Sequence, residues 1–214
     1  MDLAAEGWHS AFRIELRVQV LELASRGWPV FPGTYPVVGG WDGHESTGVL
    51  SGREDVTEGP LPVRRDWSNE LVGTDNIAAW WSERPYSVLL ATGTDIEAIE
   101  VDADHGRRTA RALRASGSPV PIAATPHGRW YFLTTGGQRL DGELADEGVV
   151  LHSEGSWIPL PPSTFPQGVL HWRVKPQVCG WRLPEPEHVQ EALLTGLHDL
   201  AERSGVGSRP LVAV

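Results

Sequence analysis

The stretch AIEVDADHGRR, residues 98–108, decides how this chain is read. Glu100, Asp102 and Asp104 stand at two-residue spacing, with Ile99, Val101 and Ala103 between them. Alternate residues of a β-strand share one face. The pattern therefore predicts a strand with three carboxylates on one side and small apolar groups on the other. Like charges crowded together repel, and the usual reason to gather them is a bound metal ion. A solvated edge strand would carry the same pattern at modest cost.

Working outward, helices and strands interleave. Residues 8–26 fit two periods: Phe12, Leu16, Val20 and Leu23 make a helical stripe, while Ile14, Leu16, Val18 and Val20 alternate as in a strand. Length and the closing Gly27 favour helix. WPVFPG reads as a short strand, and residues 33–75 as a long irregular segment. TDNIAAWWSER then reads as a helix, with Trp80 and Trp81 as its core and edge. YSVLLATG is a buried strand. GRRTARALRASG is a helix closed by Gly117, with Arg107, Arg111 and Arg114 on one face beside Arg108. These arginines meet phosphates, pair with the neighbouring carboxylates, or form a solvated face. PIAATPHGRWYFLTT holds strands around a His127–Gly128 turn. GVVLHSEGSWIPLPPS reads as a hairpin, HWRVK as a short strand, and residues 187–203 as a terminal amphipathic helix. The class is α/β or α+β, read as one domain over 1–214 with its core at about 10–185.

Composition narrows the function classes. The chain has 214 residues, 40% of them hydrophobic, and a net charge of −10, which argues against a general nucleic-acid coat but leaves room for a local basic groove. Cys179 is the only cysteine, so intramolecular disulfides and cysteine-based zinc sites are out and a reducing cytosol is expected. The opening MDLAAEGWHS lacks a basic segment followed by an apolar run, and no membrane span is expected. Lys175 is the only lysine and lies in RVKPQ, outside any glycine turn, which excludes a P-loop. Arginine in place of lysine, with 24 Gly and 17 Pro, reads as the coding bias of a high-GC bacterium. Ser163 follows two prolines without a readable His–Asp partner, which excludes a serine hydrolase there.

The order of these segments resembles the bacterial bifunctional DNA primase/polymerase N-terminal (prim-pol) domain of the archaeo-eukaryotic primase superfamily. ASRGWPVFPG (24–33) is similar to its opening A…GWPVFP segment, and IAAWWSERPYSVLLATG (77–93) to its I…WW…P…GIATG block. IEVDADHG (99–106) resembles the acidic strand LDVDxxHG, and ATPHGRWYF (124–132) stands where TxxGGxHxYF is expected. VLHSEGSWIPLPPS (150–163) stands where DLRGxGGYVVAPPS is expected, and HWRVKP is similar to the closing aromatic segment.

The resemblance implies an RRM-like central sheet flanked by helices. It also implies two-metal nucleotidyl transfer, with one ion activating the attacking hydroxyl and the other steadying pyrophosphate. It assigns catalysis and metal binding to Glu100 and Asp102, with Asp104 as a further ligand for Mg²⁺ or Mn²⁺. Partners would be nucleotides, DNA, and a helicase or replication protein on a separate chain. Two positions depart from the family pattern. The family's phosphate-facing His falls on Trp130, and its later acidic residue on Val150. The residues then left to meet phosphates are His127, Arg129 and His152, while Glu154, Asp146 or Glu147 would have to replace the missing acid. Restoring Trp130→His with Val150→Asp is expected to raise activity. Trp130 and Trp157 would either stack on a base or fill the cleft, and filling is favoured. The expected function is a primase/polymerase-like domain of weakened or lost activity. The alternative is a non-catalytic module that binds a nucleotide or a partner.

Overall fold

The computed structural model describes residues 3–43, 59–64, 67 and 74–205, so most of the segment read as irregular lies outside the described residues. Helix α1 (Leu3–Ser25) settles the ambiguous opening. Leu16, Val20 and Leu23 are buried, while Ile14 and Val18, which made the strand reading possible, are 62% and 55% exposed. Strand β1 (Val30–Gly33) follows, then an unforeseen hairpin of β2 (Tyr35–Val37) and β3 (Gly40–Asp42). Its turn is closed by Gly39 at φ +88°, a left-handed conformation that glycine adopts without steric cost.

Helix α2 (Thr74–Glu83) leads to β4 (Ser87–Thr92), β5 (Glu97–Asp102) and α3 (Ala103–Ala115). β6 (Ile122–Ala124) and β7 (Arg129–Thr134) flank the His127–Gly128 turn. Then come α4 (Gly142–Asp146), β8 (Val150–His152), β9 (Ser156–Leu160), β10 (Thr164–Phe165), β11 (Gly168–Val169), β12 (His171–Val174) and α5 (Pro186–Gly205).

The fold is α+β. A five-stranded antiparallel sheet has the order β12-β6-β7-β5-β8, and a three-stranded sheet the order β1-β4-β9. β5 is therefore an interior strand, between β7 and β8, and lies beside β7 as the alternating pattern and the family order predict. The expected hairpin over 150–163 is corrected. β8 pairs with β5 and β9 with β4, so the two strands belong to different sheets.

The central sheet buries both faces. Ala98, Tyr131 and Leu133 join α1, α2 and the second sheet in one apolar cluster. Ile99, Val101, Trp130 and Phe132 join α3, α4 and α5 in the other. On that second face α3 comes very close to β7. A Cβ added at Gly106 would lie 2.8 Å from the Trp130 ring. Gly106→Ala is expected to destabilise the protein by about 1–3 kcal/mol through overpacking, although alanine by itself favours a helix by about 1 kcal/mol. Urea unfolding checks this, and a stabilised variant would overturn it. No helix among the described residues is long and apolar enough to cross a membrane.

Candidate functional site: an ion-paired carboxylate in the cleft

The register of the central sheet sets which side chains meet. Glu100 lies opposite Tyr131 on β7 and opposite Val150 on β8, Asp102 opposite Arg129, and Ala98 opposite His152. Directly opposed residues project to the same face. Glu100, Asp102, Arg129, Tyr131, Val150 and His152 thus share one face. A cleft of about 710 Å³ opens over Glu100, Arg129, Tyr131 and His152, walled by Trp157, Phe165, His127 and Leu61.

Asp104 is not on this face, which corrects the three-carboxylate strand. The strand ends at Asp102, whose Oδ1 accepts the backbone N–H groups of Asp104 and His105 at 2.8 and 2.9 Å. Asp102 is the N-cap of α3, and an acidic side chain satisfies the unpaired donors of a helix start. Asp104 lies in the first helical turn and pairs with Arg107 in solvent. Burial works to raise the Asp102 carboxyl, but the two N–H groups outweigh it and hold the carboxyl below its ordinary range.

Glu100 is the centre of the site. Arg129 Nε donates to its Oε1 at 2.5 Å, and His152 Nε2 lies 2.7 Å from its Oε2. A carboxylate only accepts, so Nε2 carries the proton. The other ring nitrogen of His152 lies 3.2 Å from the Ser156 hydroxyl. Burial pushes the Glu100 carboxyl up, yet the hydrogen bonds and charges of His152 and Arg129 prevail and leave it lowered. Beneath it, burial and the Glu100 charge push the Tyr131 hydroxyl far up, so it stays neutral.

Local structure holds the two partners in place. Thr125 Oγ1 accepts from Arg129 N at 2.8 Å, which fixes the start of β7 after the turn at Gly128, φ +90°. Thr92 Oγ1 donates to Ser153 O at 2.7 Å, which ties the β8–β9 corner to β4.

Trp130 is the second correction. It neither fills the cleft nor stands in a phosphate-facing position. It projects to the opposite face, 6% exposed, against Gly106. In the H-x-Y-F pattern the His and Tyr are two apart and share a face. Tyr131 is on the cleft face here, so the matching residue is Arg129. Val150 lies opposite Glu100 and is 44% exposed. Asp146, Glu147 and Glu154 are exposed, and none of them lines the cleft. His127 lines the cleft with its ring 5.1 Å from Phe165. Trp157 lines it too, and stands edge-on to Trp67. Ser163 is buried and serves the fold, donating to Val88 O and accepting from Val88 N.

Among the described residues no group of three or more His, Cys, Asp and Glu is arranged to hold a metal ion. No curated protein matches the chain. The family model for the bifunctional DNA primase/polymerase N-terminal domain matches residues 20–191, which takes in both sheets, α2 to α4, the end of α1 and the start of α5. The chain belongs to that family.

Proposed function

We propose that the cleft binds a phosphate-bearing ligand, a nucleotide or a nucleic-acid end, without joining nucleotides. The observation that carries this reading is the pairing of both Glu100 oxygens with Arg129 and His152. A two-ion site needs carboxylate oxygens that face the metals. Here Glu100 has both oxygens engaged, Asp102 uses one to cap α3, Val150 supplies none, and Asp104 lies in the helix. This donor set does not fit a pair of divalent ions. What remains at the cleft is a planar cation, two imidazoles and an aromatic wall. Arginine binds phosphate through a forked set of N–H donors, and aromatic rings stack on bases of any sequence.

The test is primer synthesis and extension. Losing one preorganised electrostatic group typically costs about 10²–10³ in rate, and losses in one site need not multiply. No extension above background is expected with Mg²⁺, and at most traces with Mn²⁺. Calorimetry with a nucleoside triphosphate is expected to give the same affinity with and without a chelator. Extension that Asp102→Ala abolishes would overturn the reading.

A further inference from the structure

Half of the chain's 18 lysines and arginines lie in two stretches that contain no Asp or Glu. Residues 105–140 hold six arginines, and residues 155–184 hold Arg173, Lys175 and Arg182. In a chain of net charge −10 this is a strong segregation. The fold brings the two stretches together, because β12 pairs with β6 along the edge of the central sheet.

On α3, Arg107, Arg111 and Arg114 are exposed. The helix meets α5 through His105, whose Nε2 lies 2.9 Å from Leu193 O, and through Thr109, against Gly196. At 100° per residue the three arginines project away from that contact. Gly106 rests on Trp130, and the Arg173 guanidinium lies 5.0 Å over the same ring. Arg173 therefore adjoins the free flank of α3. Arg107 pairs with Asp104, while Arg111, Arg114 and Arg173 have no ion-pair partner among the described residues.

We infer that this flank is a second, extended binding surface for a nucleic-acid phosphate backbone, separate from the cleft. Its position favours a polyanion that also enters the cleft, and in this respect the inference rests on the reading of the cleft given above. Arg129 and Trp130 are neighbours on β7 and project to opposite faces. A strand whose end lies at Arg129 continues around the start of β7 past Arg173 and onto the arginine row of α3. That row spans about 10 Å along the helix. Each phosphate neutralised by such a cation releases counterions and steepens the salt dependence of binding, by about 0.7 in the log–log slope for a single strand.

Anisotropy with oligothymidylates of about 4 and about 20 nucleotides tests this. The long strand is expected to bind more tightly and with the steeper salt slope. Arg111→Glu with Arg114→Glu is expected to weaken long-strand binding tenfold or more and to flatten its slope by about 1–2, leaving the short strand and nucleotide unchanged. Both positions are exposed, and the alanine pair, with helicity followed by circular dichroism, controls for folding. Long-strand affinity and slope unchanged in both variants would overturn the inference. So would equal losses for short and long strands, or a long strand that binds no tighter than a short one. If the long strand binds through α3 while short strand and nucleotide fail to bind, the surface stands and the cleft reading falls.

Discussion

Trp130→His is expected to destabilise the protein by about 3–5 kcal/mol and to add nothing to the chemistry of the cleft. The indole is 6% exposed and packs with Ile99, Val101 and Phe132 beneath α3. Truncating a buried tryptophan to alanine typically costs about 3–5 kcal/mol. Histidine fills part of that space but brings polar nitrogens into an apolar pocket, which costs more unless they find partners. The ring supports Gly106 and carries the Arg173 guanidinium. Both contacts are lost with it. Urea unfolding measures the effect. A loss under about 1 kcal/mol, or a gain in nucleotide binding, would show that this position does face the cleft. Val150→Asp is the contrasting variant. It places a carboxylate opposite Glu100 at a 44% exposed position, and its cost is of the order of a cross-strand like-charge pair, under about 1 kcal/mol.

The distance between these two expectations shows where sequence was legible. Counting along the pattern put Trp130 and Val150 on the same footing as missing functional groups. The strand's period of two separates them, because a slip of one residue moves a side chain to the other face. The anchor was present in the sequence: Tyr131 and Phe132 fix the position two residues before the tyrosine as Arg129. The end of β5 was legible in part. Asp102 before an amphipathic helix is an N-cap signal, but the continuing alternation through Asp104 masked it. α4 was missed although Asp141 caps it and Gly148 closes it at φ +74°. The false hairpin over 150–163 has a different cause. The turn at Gly155 looks the same whether its strands pair with each other or with separate sheets, and only long-range packing decides. The central ion-paired group was also out of reach. Glu100, Arg129 and His152 were each singled out, yet the contacts join residues 29 and 52 positions apart.

That group carries the second large effect. Glu100→Ala is expected to destabilise the protein by about 2–3 kcal/mol at neutral pH. Breaking a fully buried ion pair by removing one partner costs about 3–5 kcal/mol, because the other charge is left unpaired. The side chains here are 16% exposed at Glu100 and 30% at Arg129, so water offsets part of that cost. Asp102 limits the effect further, since it lies opposite Arg129 in the register and offers that cation a second carboxylate. Glu100→Ala with Asp102→Asn should therefore lose more than the two single variants together. The same group governs the acid limb. The folded-state carboxyl of Glu100 lies below its ordinary value of 4.5, so the native state holds its proton less tightly than the unfolded chain does. Its contribution is complete above that value and is lost as pH falls through the lowered folded value. Urea midpoints followed downward from neutral pH should thus fall more steeply below about pH 4.5 in the parent than in Glu100→Gln. Parallel acid limbs in the two proteins would mean that the Arg129–Glu100–His152 pairing contributes nothing to the folded state, and the case for a cleft closed to divalent ions would go with it.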